Sequence, residues 1–154
     1  MAAMPETELG YAPPIVRQFS VFLDNRVGKL LELLETLEEA ADVHVRALCV
    51  LDSSDHAVVR VVCNNADGAR FTLRQGGFTF SETDILVFEA PDDSTMREAC
   101  RSLLATEVNI AFIYPVNRPG DSAPALAIAV DDHTFAGQIL MRKGFTLLGE
   151  LDMA

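Results

Sequence analysis

The sequence predicts an α+β protein made of two βαββαβ units in tandem, each an antiparallel sheet with its helices on one face. Three observations predict it. Hydrophobic periodicity alternates between the strand and the helix repeat in the order strand, helix, strand, strand, helix, strand, and most of that order then recurs. Residues 69–78 (ARFTLRQGGF) and 136–145 (AGQILMRKGF) share Ala, Leu, Gly and Phe at the same spacing, the mark of an internal duplication. A strand-rich run from Phe78 to Ala90 (FTFSETDILVFEA) stands where a linker would be, so the first unit closes and the second opens without a flexible spacer. The expected divisions are a tail over 1–14, one unit over 15–82 and a second over 83–152.

The elements follow in order. Ile15 to Asp24 (IVRQFSVFLD) alternates, with Phe19, Val21 and Leu23 on one face and Gln18, Ser20 and Phe22 on the other, as a half-buried strand does. Leu30, Leu34, Leu37 and Ala41 then recur at helical spacing while Glu32, Glu35, Glu38 and Glu39 face away, an amphipathic helix with a solvated acidic side. Val43 to Leu51 and Ala57 to Cys63 read as strands joined by the polar turn DSSDH. A helix over Asp67 to Gln75 stops at Gly76 and Gly77. In the second unit, Asp93 to Glu107 is helical, with Met96, Cys100 and Leu103 inward and Thr95 to Glu98 spaced as a capping box. Val108 to Val116 and Ala125 to Val130 are strands, Thr134 to Lys143 is a helix stopped by Gly144, and Phe145 to Leu151 is the last strand. A unit of this size buries a modest core by itself, and its sheet edges call for cover, so a homodimer is expected.

Composition narrows the function. Twenty-three acidic against twelve basic residues give a formal charge of -11, which repels phosphate backbones and anionic lipid, so neither nucleic acid nor a membrane surface is an expected partner. No apolar run is long enough to span a bilayer, and the opening MAAMPETELGYAPP lacks the basic and apolar regions of a secretion signal, so a cytoplasmic location is expected. Cys49, Cys63 and Cys100 are odd in number and sit in apolar segments, which suits reduced thiols. His44 and Cys49 lie an odd number of residues apart on one strand and point to opposite faces, which argues against a metal site with His56 and Cys63. Arg46 and Arg60 stand on adjacent strands, where pairing with acids of the other unit or binding of an anionic ligand is open to them and a structural role is favoured. Asp55 and His56 belong to a solvated turn, and Asp92, Asp93, Asp131 and Asp132 stand at helix starts as capping carboxylates. No nucleophile, base and orienting group can be assembled from these residues, so neither catalysis nor a cofactor is expected.

The segment LDNRVGKLLELL, Leu23 to Leu34, sets an acidic residue, an asparagine and a glycine against the first turn of the leucine-rich helix. First-turn N–H groups lack intrahelical partners and the helix dipole favours an anion there, while Gly28 lets a ligand approach and Asn25 offers an amide. A small amino acid could be held there by its carboxylate. On spacing alone the favoured reading is that Asn25 simply caps the helix and Gly28 relieves crowding.

With that motif on a strand-to-helix turn of a duplicated chain, the sequence from about Phe19 to Leu151 resembles the ACT domain family in tandem form. The family's acidic-Asn-x-x-Gly-x-Leu signature is matched by Asp24, Asn25, Gly28 and Leu30, VHVRAL resembles its second-strand pattern with His44 in the asparagine position, and VNIAFIY carries Asn109 and Tyr114 in the second copy. SSDHAVVR resembles its hairpin, keeping Asp55 and Arg60, while APDDST lacks the Asn-x-x-Gly turn. The resemblance implies two ferredoxin-like units and regulatory, non-catalytic binding of an amino acid or related effector at domain interfaces. The implied ligand-binding residues are Asn25, Arg26, Val27, Gly28, Lys29, Leu30, His44 and Asn109, and the resemblance puts binding ahead of plain capping at the first turn only. It further implies regulation of an amino-acid biosynthetic enzyme: a similar turn occurs in the regulatory (small) subunit of acetohydroxy acid (acetolactate) synthase. The competing expectation is a structural assembly module whose ligand turn is vestigial.

Overall fold

The computed structural model describes residues 6–7, 10–53 and 55–154. The chain divides into two compact units. One holds Arg17–Thr83 with Glu150–Ala154, and the other holds Asp84–Gly149 with the described residues up to Val16. Part of the expected tail lies outside the described residues; within it, β1 (Glu6–Thr7) and β2 (Gly10–Tyr11) form a short antiparallel ladder.

The first βαββαβ unit runs β3 (Val16–Asp24), α1 (Lys29–Glu39), β4 (Val45–Asp52), β5 (His56–Cys63), α2 (Ala66–Gln75) and β6 (Thr79–Glu89). Its strand order is β4-β5-β3-β6, with β5 antiparallel to both neighbours. Alternation along β3 falls as expected: Phe19, Val21 and Leu23 join Val59, Val61 and Cys63 of β5 in a core closed by Leu33 and Leu37 of α1 and Ala69 and Leu73 of α2. The phase of α1 differs from expectation. Leu33 and Leu37 are the buried pair, whereas Leu30 reaches solvent and Ala41 is exposed. Leucines at 30, 31, 33, 34 and 37 spread around more than one face, so their spacing alone does not fix which stripe packs. The stretch between the repeats is a single eleven-residue strand, β6, whose first part belongs to this unit and whose remainder belongs to the other.

The second unit continues with α3 (Thr95–Leu104), β7 (Ile110–Val116), β8 (Ala125–Val130), α4 (His133–Arg142) and β9 (Leu147–Leu148). Its order, β7-β8-β6 with β9 on β6, repeats that of the first. Leu86 and Phe88, Ala99 and Leu103, Leu126 and Ile128, and Ala136 and Leu140 build its core. Two expectations on α3 fail. Met96 is exposed and the buried stripe is Ala99 and Leu103. No capping box forms, because Thr95 is already inside the helix, with Ser94 as the N-cap; Glu98 N–H bonds to the Ser94 carbonyl (3.0 Å), the Thr95 hydroxyl donates to Asp92 (3.1 Å), and the Glu98 carboxylate accepts from Arg101 (3.0 Å).

The expected last strand is also shorter. After Leu148 the chain leaves the sheet for a 3-10 turn over Glu150–Met153, because its side chains find partners in the first unit: Glu150 accepts from the N–H of Ala66 (2.5 Å), Arg46 Nε donates to the Met153 carbonyl (2.6 Å), and Met153 is fully buried. Among the described residues Arg46 is therefore held by a carbonyl and pairs with no acid.

The sequence repeat has a structural cause. Phe78 N–H bonds to the Leu73 carbonyl and Gly77 N–H to Arg74, while Phe145 bonds to Leu140 and Gly144 to Met141, each at 3.0–3.1 Å. Both are Schellman terminations, with Gly77 (φ 74°) and Gly144 (φ 90°) in the left-handed region. The shared Leu and Gly-Phe are the residues this helix ending requires. The three cysteines are free thiols, and burial pushes the Cys63 thiol up to about 12 despite the opposing charge of Arg46.

Candidate functional site

At the end of β3 the chain turns through residues 25–28 into α1. Arg26 N–H closes the turn on the Asp24 carbonyl (2.8 Å), and Lys29 N–H bonds to the Arg26 carbonyl (3.3 Å). Gly28 is the N-cap residue at φ 89°, ψ -9°, and supplies no side-chain acceptor to the first turn. A Cβ at Gly28 would meet nothing within 4 Å, so glycine is needed there for its backbone conformation and the space beside it is open.

Asn25 does not cap α1. Its Nδ2 donates to Asp52 Oδ1 (3.2 Å) and to the Ser53 carbonyl (3.3 Å), and its N–H to the Asp55 carbonyl (3.3 Å), which ties the turn to the β4–β5 hairpin. Ser54 of that hairpin lies outside the described residues. The charged groups of the turn pair locally, Arg26 with Asp24 (3.2 Å) and Lys29 with Glu32 (3.1 Å). Val27 is fully exposed and Leu30 partly so.

Beside this turn lies an open hollow of about 230 Å³, walled by the end of β3, by Lys29 and Glu32, and by Gly76 to Thr79 after α2. Sequence reasoning passed over Glu32 and the Gly77–Thr79 wall as site residues. The signal was present: the duplicated segment extends one residue further, to Gly-Phe-Thr at 77–79 and again at 144–146.

The second unit has a corresponding hollow of about 220 Å³, lined by Glu89, Thr95, Glu98 and Lys143 to Thr146. Its turn is built differently. Asp92 stands where Arg26 stands in the first unit, since Thr95 N–H bonds to its carbonyl (3.3 Å) as Lys29 bonds to that of Arg26. Its carboxylate accepts from the Ser94 N–H (2.9 Å), the Ser94 hydroxyl (2.6 Å) and the Thr95 hydroxyl (3.1 Å), and these bonds hold it below the usual carboxylate range. The start of α3 thus already holds an anion of the chain's own.

Of the remaining expected residues, His44 and Asn109 occupy corresponding places. His44 exchanges backbone bonds with Asn64, whose side chain accepts from its N–H (2.7 Å), and Asn109 pairs with Asp131 in the same way (3.3 Å). Each precedes a bulged edge strand, β4 or β7. Within the first unit His44 and Asn25 are not brought together: Asn25 contacts the far end of β4, roughly 20–25 Å away at the usual rise per strand residue. Asn109 belongs to the other unit. Asp132 caps α4 as expected, accepting from Phe135 N–H (3.0 Å), whereas Asp131 accepts from the N–H groups of Asn109 (3.3 Å) and Asp132 (3.0 Å) and does not cap the helix. Among the described residues no cluster of His, Cys, Asp and Glu gathers to hold a metal ion, and no helix is long and apolar enough to cross a membrane.

Fold and turns together define a tandem of two ferredoxin-like units, each with an open hollow where its first strand passes into its first helix. A family model for the ACT domain pair matches residues 14–153, and the chain belongs to that family. Among solved structures, protein BT0572 from Bacteroides thetaiotaomicron is similar at 23% identity and a TM-score of 0.81, covering 92% of this chain and 96% of that one. The ligand-free regulatory subunit of aspartate kinase from Thermus thermophilus is similar at 12% identity and a TM-score of 0.53, covering 84% and 91%. Its counterpart from Thermus flavus gives 12%, 0.52, 84% and 92%. At these identities the likeness is one of fold. Against the curated proteins the sequence has no match.

Proposed function

We propose that the chain is a non-catalytic regulatory protein that binds a small amino acid or related effector at the turn from Asn25 to Leu30 and, as a homodimer, passes its occupancy to an amino-acid biosynthetic enzyme. The hollow at the start of α1 carries the reading. Its volume of about 230 Å³ is below the roughly 300–1,000 Å³ of pockets for drug-sized ligands and suits a single amino acid. First-turn N–H groups of Leu30 and Leu31 have no intrahelical acceptor and Gly28 provides none, so a ligand carboxylate completes the helix start. Asp24 at the end of β3 and Glu32 of α1 both line the hollow and provide carboxylates for the ligand's ammonium. The second turn is excluded by Asp92, so one effector binds per chain.

Membership of the ACT domain pair family and a fold shared with aspartate kinase regulatory subunits support a regulatory role. The Asn-x-x-Gly-x-Leu turn keeps a second reading, in which the chain is itself the regulatory (small) subunit of acetolactate synthase. One observation favours the assembly-module alternative: the Asn25 amide is spent on the hairpin rather than offered to a ligand.

Calorimetric titration with each of the twenty amino acids tests the proposal. A subset binds, with stoichiometry near one, and Asp24→Asn or Glu32→Gln weakens binding by about 1.5–3 kcal/mol, the worth of a hydrogen bond between charged groups. If none of the twenty binds, the assembly-module reading takes over.

A further inference from the structure

The turn that opens the hollow of the first unit is held from its other side. In the strand order β4-β5-β3-β6, β3 lies between β5 and β6, so the turn after β3 has the β4–β5 hairpin on one flank and Thr79, the first residue of β6, on the other. The hollow opens on the Thr79 flank. On the hairpin flank Asn25 donates from Nδ2 to Asp52 Oδ1 (3.2 Å) and to the Ser53 carbonyl (3.3 Å), and from its N–H to the Asp55 carbonyl (3.3 Å). Among the described residues these are the hydrogen bonds that fasten residues 25–28 to anything beyond Asp24 and α1. All stand at or just past the long end of the usual N–H···O range of about 2.7–3.2 Å, so a small displacement of the turn makes or breaks them. The second unit is wired differently. Its hairpin is fastened to the end of β6, by Ala90 N–H on the Pro124 carbonyl (2.6 Å) and Arg118 on Glu89 (3.2 Å), while the bonds of Asp92 stay within its own turn.

We propose that the β4–β5 hairpin reads effector occupancy of the first turn, with Asn25 and Asp52 as the positioning pair that couples the two. The inference rests on effector binding at this turn and deepens it by naming how occupancy leaves the site. Asn25 stands between Asp24 and Arg26, whose ion pair (3.2 Å) an ammonium on Asp24 replaces. A ligand that holds Asp24 by its ammonium and the start of α1 by its carboxylate fixes both ends of the turn. A turn already ordered in this way loses less entropy when Asn25 bonds the hairpin, so ligand and tie reinforce each other without any contact between them. Linkage makes the effect mutual: whatever factor the ligand adds to the tie, the tie adds to the ligand's affinity. Asp52, Ser53, Asp55 and His56 are exposed, so a change in their order is presented to a partner. Asn25 thus matters to regulation although its amide faces the hairpin and not the hollow.

Hydrogen exchange, with and without the amino acid that binds most tightly in calorimetry, tests the coupling. The amide of Asn25, bonded to the Asp55 carbonyl, and that of Ser53, bonded to the His56 carbonyl (3.0 Å), report the tie and the hairpin. Saturating ligand should slow both at least about fivefold. Asp52 does not line the hollow. Asp52→Ala, its fold checked by circular dichroism, should weaken binding at least about fivefold and abolish the slowing at Ser53. Asp52→Asn keeps an oxygen acceptor in the same place and should behave like the parent, whereas an effect of the carboxylate's charge would be lost equally in both variants. Binding that leaves the Asn25 and Ser53 amides unchanged, an Asp52→Ala protein that binds like the parent, or an Asp52→Asn protein as impaired as Asp52→Ala overturns the coupling and leaves effector binding standing. A parent that binds none of the twenty amino acids overturns both.

Discussion

Gly28→Ala and Gly28→Asn test the turn from two directions. At φ 89° a side chain meets the left-handed penalty, about 1–2 kcal/mol for an ordinary residue. Because an added Cβ meets nothing within 4 Å, no steric clash adds to it. Removing glycine also narrows the unfolded ensemble, which returns about 0.4–1 kcal/mol. The net expectation for alanine is a loss of roughly 0.5–1.5 kcal/mol. Asparagine enters the left-handed region readily, so its loss stays below about 0.5 kcal/mol. Both variants add atoms at the N-terminal end of α1, where the effector's carboxylate is proposed to sit, and both should bind the effector at least about tenfold more weakly. Urea unfolding separates the stability effects and calorimetry the binding effects. Equal destabilisation by the two substitutions would refute the conformational argument, and an asparagine variant that is stable and binds like the parent would refute the placement of the ligand.

Three further outcomes follow from the packing. Glu107 holds φ 61° at the end of α3, where Val108 N–H reaches the Leu103 carbonyl (3.0 Å) in the same termination that uses glycine after α2 and α4. Glu107→Gly should therefore gain up to about 1 kcal/mol, seen as a higher urea midpoint, and a lower midpoint contradicts the assignment. Gly137→Ala should lose about 1–3 kcal/mol, because its Cβ would come within 2.5 Å of the Pro13 ring; an unchanged thermal midpoint would show that Pro13 is not packed against α4. Arg70 grips Glu82 through Nε (2.9 Å) and Nη2 (2.6 Å) and lowers its pKa. A depressed carboxylate contributes stability that is present above its unfolded value near 4.5 and lost as pH falls through the lower folded value, so Glu82→Gln should destabilise at neutral pH and flatten the acid limb below pH 4.5.

The order of elements was legible because helix and strand periods differ and because glycines mark where helices stop. What escaped was set by contacts distant in sequence. Phe145 to Leu151 is apolar enough for a strand, yet Glu150 and Met153 are claimed by Ala66 and Arg46, more than eighty residues away, and the strand ends at Leu148. Asn25 has the sequence of a helix cap and the geometry of a hairpin tie, since Asp52 and Ser53 come to it only once β3 and β5 have paired. The leucines of α1 announced a helix without announcing its buried side. In the second turn the absence of Asn-x-x-Gly was legible, but that the Asp92 carboxylate bonds to Ser94 and Thr95 needed coordinates. His44 and Asn109 matched a family pattern, and each is engaged at the start of a bulged edge strand.

The central claim is that one carboxylate-bearing effector settles at the first turn and none at the second. Amide-resolved NMR titration with the amino acid that binds in calorimetry tests it most directly. The account predicts saturable shifts at Lys29 to Glu32 and at Gly76 to Thr79, with the amides of Ser94 to Glu98 unmoved because the Asp92 carboxylate already stands at the start of α3. Shifts concentrated at Ser94 to Glu98 and Lys143 to Thr146, with the α1 turn silent, would contradict it.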